Sequence, residues 1–156
     1  MATEVQSIHV VLPLAVGLVI GIVEAYFVYE GERNAGSHQV FGDMWHGLLF
    51  AMFGVLVASN VPYVISQGWV PEFLMNIPGF VDANGNSLII SILITLFMMV
   101  KMVSTRAIKG VRGGGFTEKF HHKLIIALAV GFAPYYIMYL YEPLMPLQNL
   151  VPWLPF

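Results

Sequence analysis

The chain has 156 residues, 58% hydrophobic and 10% charged, with nine Asp and Glu against seven Lys and Arg for a formal net charge of −2. Soluble domains carry a charged fraction of roughly a quarter, so the composition excludes an ordinary water-soluble domain and points to an integral membrane protein. The lack of cysteine excludes disulfides and thiolate attachment of metal or haem, and no basic stretch interleaved with aromatics suggests a nucleic-acid partner.

The first apolar segment covers residues 8–29, close to the ~20 residues a helix needs to cross a hydrocarbon core. It holds no Lys or Arg, and no small-residue cleavage site follows it, so it is expected to stay as a helix rather than be removed as a signal peptide. Gly17, Gly21 and Ala25 recur every four residues. Stripes of small residues let helix backbones approach closely, a main source of association where no hydrophobic effect operates between helices. Glu24 flanks this stripe about six residues, or roughly 9 Å, from the end of the segment.

The second segment, 41–65, opens with Asp43 and His46 on one helical face. Gly47, Ala51, Gly54 and Ala58 make a second small-residue stripe, which predicts a tight hairpin between the first two helices. If the two stripes meet, Glu24 and His46 are expected within reach of each other. Pro62 should bend the second helix. The connection 68–87 contains Trp69, Phe73, Leu74, Ile77, Phe80 and Val81, too apolar to hang in water, and is expected to lie along the interface or pack on the bundle. Asn84-Gly85 turns the chain back, and Asn86 or Ser87 caps the third helix.

The third segment, 88–105, carries Ser87, Ser91 and Thr95 along one stripe, and the fourth, 120–141, carries Ala127 and Gly131 with a bend expected at Pro134. Between them Gly113-Gly114-Gly115 reads as a flexible joint before a Thr117 cap. It lacks the Lys, the Ser or Thr and the strand context of a phosphate loop. Tyr135, Tyr139 and Glu142 share a stripe that reads as an aromatic belt or, less plainly, as a polar pocket behind Pro134. The tail, 143–156, has four prolines among apolar residues, so it is not expected to be helical. Trp153, Pro155 and Phe156 are its candidate partner-binding residues.

Lys101, Arg106, Lys109, Arg112, Lys119 and Lys123 surround the third connection, and Arg33 lies in the first. Short Lys- and Arg-rich loops stay in the cytoplasm, so both termini and the second connection are expected outside and the 106–123 loop inside a cell membrane.

Ionisable groups at membrane depth are functional candidates. Glu24, Asp43 and His46 form a candidate polar pair or relay, suited by the near-neutral pKa of His. Glu24, Asp43, His46 and His122 would suit zinc, iron or copper; His46 with His121 or His122 would suit a b-type haem. The plainer account makes Asp43 a first-turn cap complementing the helix dipole, Glu24 with His46 a structural hydrogen bond, and His121 and His122 interfacial residues. No metalloprotease or di-iron pattern is present, Ser37 near His38 lacks the third member a hydrolase needs, and no resident cofactor is expected.

These readings give an all-α fold: one domain, 1–156, of four transmembrane helices in a compact bundle within the lipid bilayer. In general build the chain is similar to small helper subunits of large membrane oxidoreductases, such as respiratory oxidases or copper monooxygenases of the ammonia and methane type. That similarity implies a non-catalytic accessory subunit whose partners are other integral membrane subunits. The alternatives are a metal- or haem-binding four-helix redox protein and a small channel or transporter.

Overall fold

A computed structural model describes residues 7–35, 40–111 and 120–148. Among these residues every regular element is a helix: α1 (Val11–Ala35), α2 (Val40–Ser59), α3 (Val61–Ser66), α4 (Glu72–Met75), α5 (Leu88–Val111), α6 (Phe120–Gly131) and α7 (Ala133–Gln148). The end of the bundle where α1 passes to α2 and α5 to α6 is called the lower end below, and the end bearing α3 and α4 the upper end.

The α1–α2 hairpin is held by the two small-residue stripes. A Cβ placed on Gly17 would stand 2.6 Å from Met52 Cα, and one on Gly21 would stand 2.8 Å from Leu48 Cα. Backbone therefore lies on backbone along this seam, which only residues without a side chain permit. At the upper end the hairpin is tied a second time. The Asn60 side-chain amide accepts from His9 N–H and donates to His9 C=O, both at 2.7 Å, and it donates also to Leu56 C=O at 2.8 Å. One amide thereby satisfies backbone groups of α2 and of the segment leading into α1, as a strand neighbour would.

The remaining helices close on this hairpin. Gly54 accepts Val130 of α6, whose Cγ1 would be 2.6 Å from an added Cβ. Gly131 abuts Thr95 Oγ1 and the Ser91 carbonyl of α5, and the Thr95 hydroxyl donates to that carbonyl at 2.9 Å, so the polar stripe of α5 is satisfied inside the bundle. Ala51, Val55, Ala58, Met98, Met102, Ile126, Ala127, Val130 and Ala133 complete the apolar interior. Ser87 caps α5 through Ile90 N–H at 3.4 Å, the bond expected three residues into a helix.

The two proline sites break helices rather than curve them. α2 ends at Ser59, Asn60 leaves helical geometry at φ −102°, ψ 11°, and α3 starts with Pro62 in its first turn. α6 and α7 meet at Phe132 with a bend of 63°, where the Tyr136 hydroxyl donates to the Ala129 carbonyl at 2.6 Å. One expectation is corrected. The chain remains helical through Pro143 and Pro146 as far as Gln148; each proline costs one hydrogen bond, but its fixed φ of about −65° is already that of a helix. Trp153, Pro155 and Phe156 lie outside the described residues.

By length and composition α1 (Val11–Glu30) and α2 (Phe41–Ser59) can cross a membrane, and the bent pair α6–α7 makes a third candidate. The apolar part of α5, Leu88–Ser104, is a shorter helix. Leu18, Val19, Ile22, Phe53, Leu93, Phe97 and Val100 are exposed, and apolar surface so extensive belongs in lipid rather than water.

Candidate functional site: a charged layer and an upper cavity

Two regions gather polar side chains. In the lower half, Glu24 is 5% exposed and its carboxylate lies on Gly47, with Cδ 3.1 Å from where a Cβ would be. Gly47 leaves the room in which the carboxylate sits. His122, at the start of α6, stacks on Phe27 of α1 with ring centroids 4.1 Å apart and planes 13° from parallel. That contact fixes α6 beside α1 at the lower end, and the Gly54–Val130 contact fixes it beside α2 higher up, so α6 runs parallel to α2. Two helical turns below Gly54 comes Gly47, and two turns below Val130 comes Lys123. Lys123, 9% exposed, thus stands at the level of Gly47 and of Glu24. The bundle therefore buries one carboxylate and one ammonium in the same layer. Lys101, one turn higher on α5, lies over the Phe50 ring with Nζ 3.7 Å from the centroid, a cation–π contact that keeps a second charge beside the bundle.

The sequence-predicted residues part company here. Glu24 is in the seam. Asp43 is half-buried in the first turn of α2, where its charge suits the helix dipole. His46 is exposed, and its Nδ1–H donates to the Gly42 carbonyl of its own helix at 2.7 Å, so its bond goes there and not to Glu24. His121 is exposed and edge-on to His122, with centroids 4.4 Å apart. Among the described residues no three His, Asp or Glu side chains converge as metal ligands. The residue missed was Lys123; its place one turn before Ile126 and Ala127 on the buried face was the available signal, obscured by its position in a cationic loop.

At the upper end the breaks at Asn60 and Phe132 leave a cavity of about 570 Å³. Leu12, Pro13, Pro62, Pro134, Ile137 and Met138 supply apolar walls, and Ser7, His9, Ser59, Asn84, Asn86 and Tyr141 supply polar ones. The polar rim is built locally. Asp82 Oδ1 accepts from the backbone N–H groups of Asn84 at 2.8 Å and Asn86 at 2.9 Å, and Asp82 N–H donates to the Asn86 carbonyl at 2.8 Å, so the returning loop is folded against the mouth. Ser59 is 8% exposed, and its hydroxyl, buried, has no hydrogen-bond partner in the structure.

Comparison with family models, curated proteins and solved structures finds no match for this chain.

Proposed function

We propose that the chain is a small four-span membrane subunit, non-catalytic by itself, that works inside an assembly of integral membrane chains. In this reading α1, α2, α5 and the α6–α7 pair are the spans, the lower end faces the cytoplasm, where Arg33 and the Lys- and Arg-rich third connection lie, and both termini are on the opposite side. The carrying observation is the upper connection. Trp69 is 71% and Phe73 70% exposed, and Met75 and Ile77 are exposed with them; Phe73 and Met75 lie on α4, Trp69 just before it and Ile77 just after it. Aromatic and Met side chains are the types enriched at protein interfaces, and their exposure here supports a partner surface continuous with the lipid-facing helices. The inner half supports the same reading: Glu24 and Lys123 are buried in one layer while His46 and His121 face outward, an arrangement suited to fixing helices rather than to holding a cofactor. An oxidoreductase host, of respiratory-oxidase or copper-monooxygenase type, is the part of the proposal that rests on general build alone.

The test is native mass spectrometry after gentle detergent extraction, comparing the wild type with Trp69→Ser/Phe73→Ser. Fixed stoichiometry with defined membrane subunits, lost in the double variant while its helical content is retained, is the expected result. A solitary 17.3 kDa chain, or one carrying stoichiometric haem or metal, overturns it.

A further inference from the structure

The upper cavity is a place where packing stops. Elsewhere the bundle closes to backbone contact, yet where α1 begins, α2 breaks and α6 bends into α7, a space of about 570 Å³ remains, within the ~300–1,000 Å³ range of small-molecule sites. Among the described residues its lining contains no Asp, Glu, Lys or Arg, and with His9 as its imidazole it offers no permanent charge to a charged guest. Three of the apolar wall residues, Pro13, Pro62 and Pro134, are prolines. They have no N–H to offer, and their rings make a rigid apolar surface. Ser59 belongs to the lining, and its hydroxyl oxygen, covered in the observed rotamer, has no hydrogen-bond partner; a turn about χ1 is what presents it to the space. A buried hydroxyl left in that state costs free energy that an acceptor oxygen would recover. The Asn60 amide, next in the chain, is fully used on His9 and Leu56 and does not compete for the guest.

We propose that this cavity is a binding site for a neutral, lipophilic molecule bearing a carbonyl oxygen, with its apolar body against Leu12, Ile137 and Met138 and the carbonyl accepting from Ser59. The described lining comes from a single chain. A carbonyl of this kind is available from a free ketone-like molecule in the bilayer and from the ester linkage of a bilayer lipid.

Benzophenone is a suitable probe, being a neutral lipophilic ketone that inserts into nearby C–H bonds on irradiation. The full chain in nanodiscs, irradiated with benzophenone and mapped by peptide mass spectrometry, is expected to be labelled at Leu12 or Ile137, which unlike Met138 are not exposed on the outer surface, in preference to lipid-facing Phe97. Loss of one hydrogen bond should weaken occupancy about fivefold in Ser59→Ala, and Met138→Trp, which fills the space, should abolish the preference; unchanged far-UV circular dichroism shows that both variants fold. Discs of ether lipids, which lack ester carbonyls, distinguish the sources. Labelling that rises severalfold there means a lipid ester occupies the site, and labelling equal in both discs means the guest is a free molecule; either result supports the assignment. Label spread evenly over the lipid-facing helices, or preference unchanged in Met138→Trp, overturns the site. Preference lost in Met138→Trp but intact in Ser59→Ala overturns the carbonyl assignment.

Discussion

Gly21→Ala tests whether the α1–α2 seam is as close as its geometry requires. The added methyl would stand 2.8 Å from Leu48 Cα, 2.9 Å from its carbonyl oxygen and 3.2 Å from its carbonyl carbon. All three are backbone atoms, so no rotamer change relieves the clash. Carbon contacts settle at about 3.5–4.0 Å, so the helices must part locally by about 1 Å. A gap of that size forfeits between a quarter and a half of each contact energy. Over some 30 atom pairs at roughly 0.15 kcal/mol each, the loss is about 1–2 kcal/mol, in the range of about 1–3 kcal/mol seen for overpacked cores. Alanine's better helix propensity, worth ~1 kcal/mol in water, offsets part of this. Gly42→Ala is the internal control, because nothing lies within 4 Å of its added Cβ. Unfolding by dodecyl sulfate in mixed micelles, followed by far-UV circular dichroism, should show Gly21→Ala unfolding at clearly lower denaturant than wild type and Gly42→Ala unchanged or slightly more stable. Gly17→Ala meets Met52 Cα at 2.6 Å, and the same parting relieves both sites, so the double variant should cost less than the two singles together. If Gly21→Ala matches Gly42→Ala, the backbone-on-backbone seam is wrong.

Asn60→Ala removes two hydrogen bonds to His9, just before α1, and one to Leu56 within α2; a loss of about 2–3 kcal/mol is expected, with faster hydrogen exchange at the His9 amide and little change near Gly21. Pro134→Ala restores a donor to the α6–α7 junction and should straighten the 63° bend. With about 10 Å of helix on each side, spin labels at Ile125 and Tyr139 should move apart by roughly 3 Å in pulsed electron paramagnetic resonance, and an unchanged distance would assign the bend to packing around Phe132 instead. Glu24 and Lys123 are buried in one layer, so Lys123→Met should destabilise, by up to about 3 kcal/mol if the two charges are coupled, and Glu24→Gln in the same chain should then recover part of it. A double-mutant cycle with no coupling would separate the two charges.

The small-residue stripes were the most legible feature, because four-residue spacing of Gly17, Gly21 and Ala25 has few meanings in an apolar helix; the Ser91–Thr95 stripe and Gly131 were legible as contact faces, but their meeting each other was not. His46 was harder. It follows Asp43 by three residues but precedes Gly47 by one, and a single residue turns a helical side chain by about 100°, which carries it off the seam that Glu24 occupies. Helix continuation through Pro143 and Pro146 was hidden because proline's missing donor is visible in sequence, whereas its compatible φ carries no separate mark. Of the cavity only the Pro134 wall was legible: a polar pocket there was one of two readings of Tyr135, Tyr139 and Glu142, whereas the lining takes Ile137, Met138 and Tyr141, because the space arises where separate breaks at Asn60 and Phe132 fall at one height, a coincidence of register that neither segment encodes by itself.

The Asn60 clamp bears on how the protein is made. With α1 and α2 closed along their small-residue seam, and His9 fastened above by one amide, the first two helices are a finished unit once residue 60 has been synthesised and left the translocon. Every contact of that unit is then present before α5 exists. The later helices arrive at a rigid template, so an Asn60 lesion should act during biogenesis, as slower insertion and greater loss to quality-control proteolysis, more strongly than its equilibrium cost in the mature protein suggests.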